Sequence, residues 1–135
     1  ILVVDDEPVV RRVTQRLLER HGFTVQLAVD GREAVRLINA NAAAADLVLM
    51  DLTMPGMSGE ETVVYLRSIG FNRPIVLMSG YVSPALLQGA REAGVTEVLS
   101  KPLTAREIAR ALATEPKLLP IPNPSSTAPR ISAKV

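Results

Sequence analysis

Cysteine and tryptophan are absent from this sequence, histidine occurs once, and two Tyr and two Phe supply the only phenol and phenyl rings. Without thiols there is neither a disulfide scaffold nor a thiolate metal centre, and the composition suits a reducing cytoplasm, the expected location. With so few rings, the interior must be aliphatic, built from the Val, Leu, Ile and Ala among the 47% of hydrophobic residues, and 135 residues suffice for one core. No apolar run approaches the ~20 residues of a membrane helix, so this segment is expected to make no membrane contact. The chain opens on Ile1, already in an apolar run, and is expected to be a piece of something longer, so missing targeting signals carry no weight.

An excess of one charge is lacking too, with fifteen basic residues against fourteen acidic. Residues 116–135 hold Lys117, Arg130 and Lys134 with no acid, which leaves twelve basic against fourteen acidic residues in 1–115. The globular part is therefore not a basic nucleic-acid binder. Residues 116–135 also hold Pro116, Pro120, Pro122, Pro124 and Pro129 beside Ser125-Ser126-Thr127 and read as a disordered Pro/Ser-rich tail.

What remains alternates strand and helix five times. Leu47 to Met50 are apolar without alternation, as in a central strand of a parallel sheet covered on both faces; the run stops on Asp51, and Pro55-Gly56 then breaks into a loop. Before it come a strand over Ile1 to Val4 and a helix from Pro8 with Val10, Val13 and Leu17 on one face, stopped by Gly22. A second strand is expected over Phe23 to Val29 and a second helix from Asp30, capped with Glu33, through Ala34, Leu37 and Ile38. After Asp51, Ser58 and Glu61 form a capping box for a helix carrying Val64 and Leu66. Pro74 to Met78 is the fourth strand, Ser83-Pro84 opens a helix with Leu87 and Ala90, and Glu97 to Ser100 is the fifth strand. Thr104 with Glu107 starts the last helix, through Ile108, Ala111 and Leu112.

Five βα units predict a flavodoxin-like three-layer sandwich with a five-stranded parallel sheet of order 2-1-3-4-5 and five helices. In that order strands one and three are neighbours. Asp5 and Asp6 end strand one, Asp51 ends strand three, Ser79 follows strand four and Lys101 follows strand five, so all meet at one sheet edge, where open α/β sheets place ligands. Like carboxylates at close range need a shared proton or a cation, and an oxygen-only donor set without His or Cys favours Mg²⁺. With the metal, the Lys101 ammonium and the Ser79 hydroxyl around it, a phosphoryl group could be taken up by Asp51 as nucleophile. Taken singly, each residue has a plainer explanation: Asp5, Asp6 and Glu7 suit the positive end of the first helix, and Lys101 suits a solvated surface.

These residues resemble the receiver domain of two-component response regulators: Val3-Val4-Asp5-Asp6-Glu7, Asp51 with Met54-Pro55-Gly56-Met57-Ser58-Gly59, Ser79, and Lys101-Pro102. The resemblance spans residues 1 to about 113 and assigns 1–115 as a receiver domain. It implies phosphoryl transfer from a histidine kinase or a phosphotransfer domain to Asp51, catalysed by the receiver itself together with its later dephosphorylation. Mg²⁺ would be held by Asp6, Asp51 and the Thr53 backbone carbonyl, with Asp5 acting through water. It also implies a cis Lys101-Pro102 bond, a downstream protein partner that the residues do not name, and room for a homodimer. One departure stands out. The family usually has Tyr or Phe three residues before the lysine, where Val98 stands, so the switch is expected to involve Ser79, Tyr81 and Val98 differently. Ser79-Gly80-Tyr81 looks like the version in receivers of hybrid sensor histidine kinases, the expected parent; a stand-alone response regulator acting by protein binding is the alternative. An aspartyl-phosphate hydrolase of the haloacid dehalogenase kind would need a second Asp where Thr53 stands, and a receiver kept only for binding would be expected to have lost Asp51 or Lys101.

The other candidates read plainly. His21 suits the end of the first helix. Met50, Met54, Met57 and Met78 suit packing, and Arg11, Arg12, Arg16 and Arg20 suit a solvated helix face.

Overall fold

Side chains along a strand point alternately to opposite faces, so an unbroken apolar strand must feed two cores. Val48 and Met50 pack with Leu2, Val4, Ile75 and Leu77 on one side of the sheet; Leu47 and Leu49 pack with Val3, Val76, Met78 and Leu99 on the other. The computed structural model describes residues 1–41, 43 and 45–113, without the side chains of Ala105, Leu112 and Ala113. The expected tail, its boundary at residue 115 and the inward Leu112 lie outside what is described.

The elements follow in order as β1 (Leu2–Val4), α1 (Pro8–Arg20), β2 (Gln26–Ala28), α2 (Gly31–Ala40), β3 (Val48–Asp51), α3 (Gly59–Ser68), β4 (Ile75–Ser79), α4 (Pro84–Ala93), β5 (Glu97–Ser100) and α5 (Ala105–Ala113). The sheet is parallel, in the order β2-β1-β3-β4-β5. Leu18 of α1 with Ile108 and Ala111 of α5 cover one face; Ala34 and Ile38 of α2, Val63 and Leu66 of α3 and Ala90 of α4 cover the other. This is the flavodoxin-like three-layer arrangement expected from the alternation.

Local chemistry sets the helix starts. The Ser58 hydroxyl accepts the Glu61 N–H at 3.1 Å while the Glu61 carboxylate accepts the Ser58 N–H at 2.9 Å, closing the capping box. Asp30 accepts the Glu33 N–H at 2.8 Å, but the Glu33 carboxylate reaches back to the Val29 N–H at 2.7 Å, one residue earlier than in that motif. Ser83 and Thr104 cap α4 and α5 through the N–H groups of Leu86 and Glu107. Gly94 ends α4 at φ 103°, a left-handed conformation that favours glycine.

Three expectations are corrected. β2 is shorter than Phe23 to Val29, because an edge strand pairs only where β1 offers partners, from Gln26 to Ala28. β4 lies one residue later than Pro74 to Met78, taking in Ser79, which pairs with Ser100. On two helices one expected core residue instead faces solvent, while Leu17 of α1 and Leu66 of α3 pack as expected. On α1 the buried positions are Thr14 and Leu18, with Leu17 half-buried and Val13 59% exposed. On α3 Val63 is buried and Val64 is 54% exposed. Val63 and Val64 are identical in type and adjacent, so apolar spacing alone cannot choose between them; Val63 lies one turn from the equally buried Leu66.

The orientation of α3 is directly testable. Leu66→Ala should cost about 2–5 kcal/mol in urea unfolding, as for a buried Leu, whereas Val64→Ala should stay within about 0.5 kcal/mol. Equal losses would place Val64 in the core.

Candidate functional site at the carboxyl edge of the sheet

Register places the site. Val4 pairs with Met50 and Met50 with Leu77, so the residues after β1 and at the end of β3 stand side by side. Asp5, Asp6 and Asp51 each offer a carboxylate oxygen there, and these oxygens lie within 4.8 Å of one another. Asp5 is fully buried, Asp51 is buried, and Asp6 is half-buried. Lys101 reaches in from β5, its Nζ 3.2 Å from Asp51 Oδ1 and 3.5 Å from Asp5 Oδ2. The Lys101–Pro102 peptide that carries it is cis, as the resemblance implied.

Several backbone groups hold these acids. Asp5 Oδ1 accepts the Glu7 N–H at 2.9 Å, and Asp51 Oδ1 accepts the Thr53 N–H at 3.3 Å. The Lys101 N–H donates to the Ser79 carbonyl at 2.7 Å, tying the lysine to the end of β4. Gly59 at the start of α3 lies so close under β3 that a Cβ there would meet the Asp51 carbonyl oxygen at 2.7 Å and Leu52 Cα at 2.8 Å. The absence of a side chain at Gly59 therefore lets α3 begin directly beneath the acidic edge.

Burial pushes the Asp51 carboxyl above its ordinary value of 3.8; the Lys101 ammonium opposes this and the Asp5 carboxylate adds to it. The donor set fits a hard divalent cation: three carboxylate oxygens close together, one contributor open to solvent so that water can complete the coordination, and no nitrogen or sulfur ligand in the cluster. Lys101 alone faces more negative charge than it balances.

The other expected residues are placed differently. Ser79 is buried at the end of β4, but its hydroxyl is engaged by its own loop, donating to the Tyr81 carbonyl at 2.7 Å and accepting the Tyr81 N–H at 3.2 Å. Tyr81 is 78% exposed. Val98 is half-buried and packs against the α2–α3–α4 side of the sheet, beside a cavity of about 130 Å³ lined by Leu87, Ala90 and Val95 among others. Thr53 is exposed.

Arg11 was missed as part of the site. Its guanidinium donates to the Asp5 carbonyl at 2.7 Å, so it is half-buried against the acidic loop rather than on the solvated face of Arg12, Arg16 and Arg20. The available signal was its place in the first turn of the helix that follows Asp5, Asp6 and Glu7. His21 caps the end of α1 with Nδ1 2.9 Å from the Leu17 carbonyl, away from the cluster in sequence and in bonding.

The raised Asp51 value has a definite consequence for stability. The native carboxyl keeps its proton to higher pH than the unfolded chain does, so stability falls as pH rises from the unfolded value through the native one. In buffer with a metal chelator at pH 7, Asp51→Asn should therefore unfold at a higher temperature than the parent chain, with the gap closing toward acid pH. An equal or lower midpoint for the variant would contradict this.

Comparison with known proteins agrees with that geometry. A family model described as the response regulator receiver domain matches residues 1–113. Response regulator MprA of Mycolicibacterium vanbaalenii is 38% identical over 108 residues, covering 80% of this chain and 46% of that protein. Sensor histidine kinase RcsC of Salmonella typhi is 34% identical over 113 residues, covering 84% of this chain and 12% of that protein. The chain thus spans about half or less of the length of these curated relatives. Among solved structures, the chemotaxis protein CheY4 of Vibrio cholerae has a TM-score of 0.78 at 30% identity, covering 84% of this chain and 94% of its own. The sheet order, the register that gathers the acids and the extent of the match lead to one assignment: the chain belongs to the response regulator receiver domain family of two-component systems.

Proposed function

We propose that this receiver accepts a phosphoryl group on Asp51 from the phosphohistidine of a histidine kinase or a phosphotransfer domain, in a Mg²⁺-dependent reaction. The observation that supports this best is the meeting of Asp5, Asp6 and Asp51 with Lys101 only 3.2 Å from the Asp51 carboxylate. The Asp51 oxygen attacks phosphorus, the P–N bond of the donor breaks, its electron pair returns to the imidazole, and an acyl phosphate forms on Asp51. Asp6, Asp51 and the Thr53 carbonyl would hold the metal, with Asp5 behind them. A metal held there would supply positive charge to offset that of the incoming phosphoryl oxygens.

The chain's own groups do the rest. Burial strips water from Asp51 and favours its attack once ionised. Lys101, shared between Asp5 and Asp51, can turn its ammonium toward a phosphoryl oxygen as charge builds there. The Glu7 N–H and the Arg11 guanidinium keep the Asp5 loop from moving away from its neighbours. Attack of water on phosphorus then breaks the acyl phosphate O–P bond, releases inorganic phosphate and restores Asp51. The parent is proposed to be a hybrid sensor histidine kinase, on the Ser79-Gly80-Tyr81 pattern and the 34% identity to a sensor histidine kinase; kinase-core sequence upstream of Ile1 in the gene would bear this out, and its absence would favour a separate response regulator.

The route of the signal follows from Ser79 and Val98. A charge-assisted bond to a phosphoryl oxygen is stronger than the neutral bond that the Ser79 hydroxyl makes to the Tyr81 carbonyl, so phosphorylation draws Ser79 inward and releases that loop. Val98 has no ring to follow the movement. The response is therefore confined mainly to Gly80, Tyr81, Val82 and the start of α4.

Incubation with Mg²⁺ and a small-molecule phosphodonor should add one phosphoryl group by intact mass, labile to hydroxylamine, and Asp51→Asn should take up none; equal labelling of the variant refutes Asp51 as acceptor. Amide shifts with a phosphoryl mimic should be largest over residues 79–86. Equal shifts over residues 97–112, or an unaltered response in Tyr81→Ala, would show that the signal travels another way.

A further inference from the structure

Helix α3 carries apolar side chains toward solvent as well as toward the core. Val63 and Leu66 enter the core, while Val64 and Tyr65 face outward at 54% and 42% exposure. Exposed Val and Tyr side by side on a helix gain nothing from water and mark a surface that a partner can cover. The outward face is also concave. Together with Gly89 and Ala93 of α4 it forms an open groove of about 490 Å³ over Met57, Val64 and Tyr65. Gly89 and Ala93 keep the α4 wall low, and Met57 at the end of the groove is a side chain that adapts to varied partners.

The charged residues that line this groove are both acidic, Glu60 and Glu61. The cation nearest in sequence on the same helix, Arg67, does not offset them. Its guanidinium is taken up by the carbonyls of Gly94, Phe71 and Arg73 at 2.7–3.0 Å. Another apolar groove, about 370 Å³ along Val9, Val13 and Leu17 of α1, has Lys101 as its charged lining residue, and that ammonium is already paired with Asp5 and Asp51. The α3–α4 groove is thus apolar at its floor and negative at its rim.

We infer that the α3–α4 groove is a protein-docking surface for an amphipathic helix with aliphatic residues on one face and lysine or arginine flanking them. The aliphatic face covers Val64 and Tyr65, and the flanking cations meet Glu60 and Glu61, the helix-in-groove mode of recognition. The site is separate from the acidic edge and makes no use of Asp51 or Lys101.

The test uses the full chain, isotope-labelled, titrated with a synthetic helix of leucine and lysine faces and with a counterpart carrying glutamate for lysine. The lysine peptide should shift amides around Met57, Glu60 to Ser68 and Gly89 to Ala93. Val64→Asp and Tyr65→Ser should each weaken it about tenfold or more, and Val13→Asp on α1 should leave it unchanged. Both α3 positions are exposed, so neither variant threatens the fold, and amide spectra of the free variants check this. Shifts centred on the α1 groove, equal binding of the glutamate peptide, or unchanged affinity in both α3 variants would overturn the inference. So would self-association of the chain that Val64→Asp abolishes, since the occupant would then be a second copy.

Discussion

Three carboxylates held at the end of a parallel sheet with one ammonium between two of them form the interaction on which the rest of this molecule depends. Asp5 and Asp51 cannot both lose water and ionise without a cation close by, and Lys101 supplies one at 3.5 and 3.2 Å. Lys101 leaves the cluster short of positive charge, and that shortage is what makes the edge receptive to a divalent metal and to the phosphoryl chemistry proposed for it. Burial holds the Asp51 carboxyl above its ordinary value, with the Asp5 carboxylate adding to this and Lys101 opposing it. Stability is therefore given up at the place where chemistry is proposed, as is common where titratable groups are packed together.

Everything nearby serves to hold the cluster against its own repulsion. The parallel register sets β1 beside β3 and β4 beside β5, so residues far apart in sequence arrive at one edge. The two apolar layers above and below leave the strands no freedom to slip, because a shift of one residue would drive every buried side chain to the opposite face. Gly59 allows α3 to start directly under Asp51, and Arg11 secures the Asp5 loop from α1. The chemistry is thus placed on the rigid part of the fold. The Ser79 to Tyr81 loop, where the Ser79 hydroxyl bonds a neutral carbonyl, is the part proposed to respond.

The outward face of α3 has a different character. It contributes nothing to the acidic edge, yet its apolar side chains are not accounted for by the core. An exposed apolar groove with an acidic rim is a feature of recognition rather than of folding.

Much of the fold was legible beforehand, because βα alternation, caps and an apolar central run are local properties. Ser58 with Glu61, Ser83, Thr104 and the run to Asp51 marked their elements, and parallel strands of this number admit few orders. The convergence of Asp5, Asp6, Asp51 and Lys101 was legible for the same reason, since strand order and strand ends together fix which residues share an edge. Which of two adjacent valines on α3 faces the core was not legible, nor the exposure of Val13 on α1. Nor was the hydrogen bond that withholds Ser79 from the cluster, or the turn of Arg11 toward Asp5. These were decided by tertiary structure alone: local spacing specifies that a helix has an apolar side, but only packing against a particular neighbour selects the rotation about its axis.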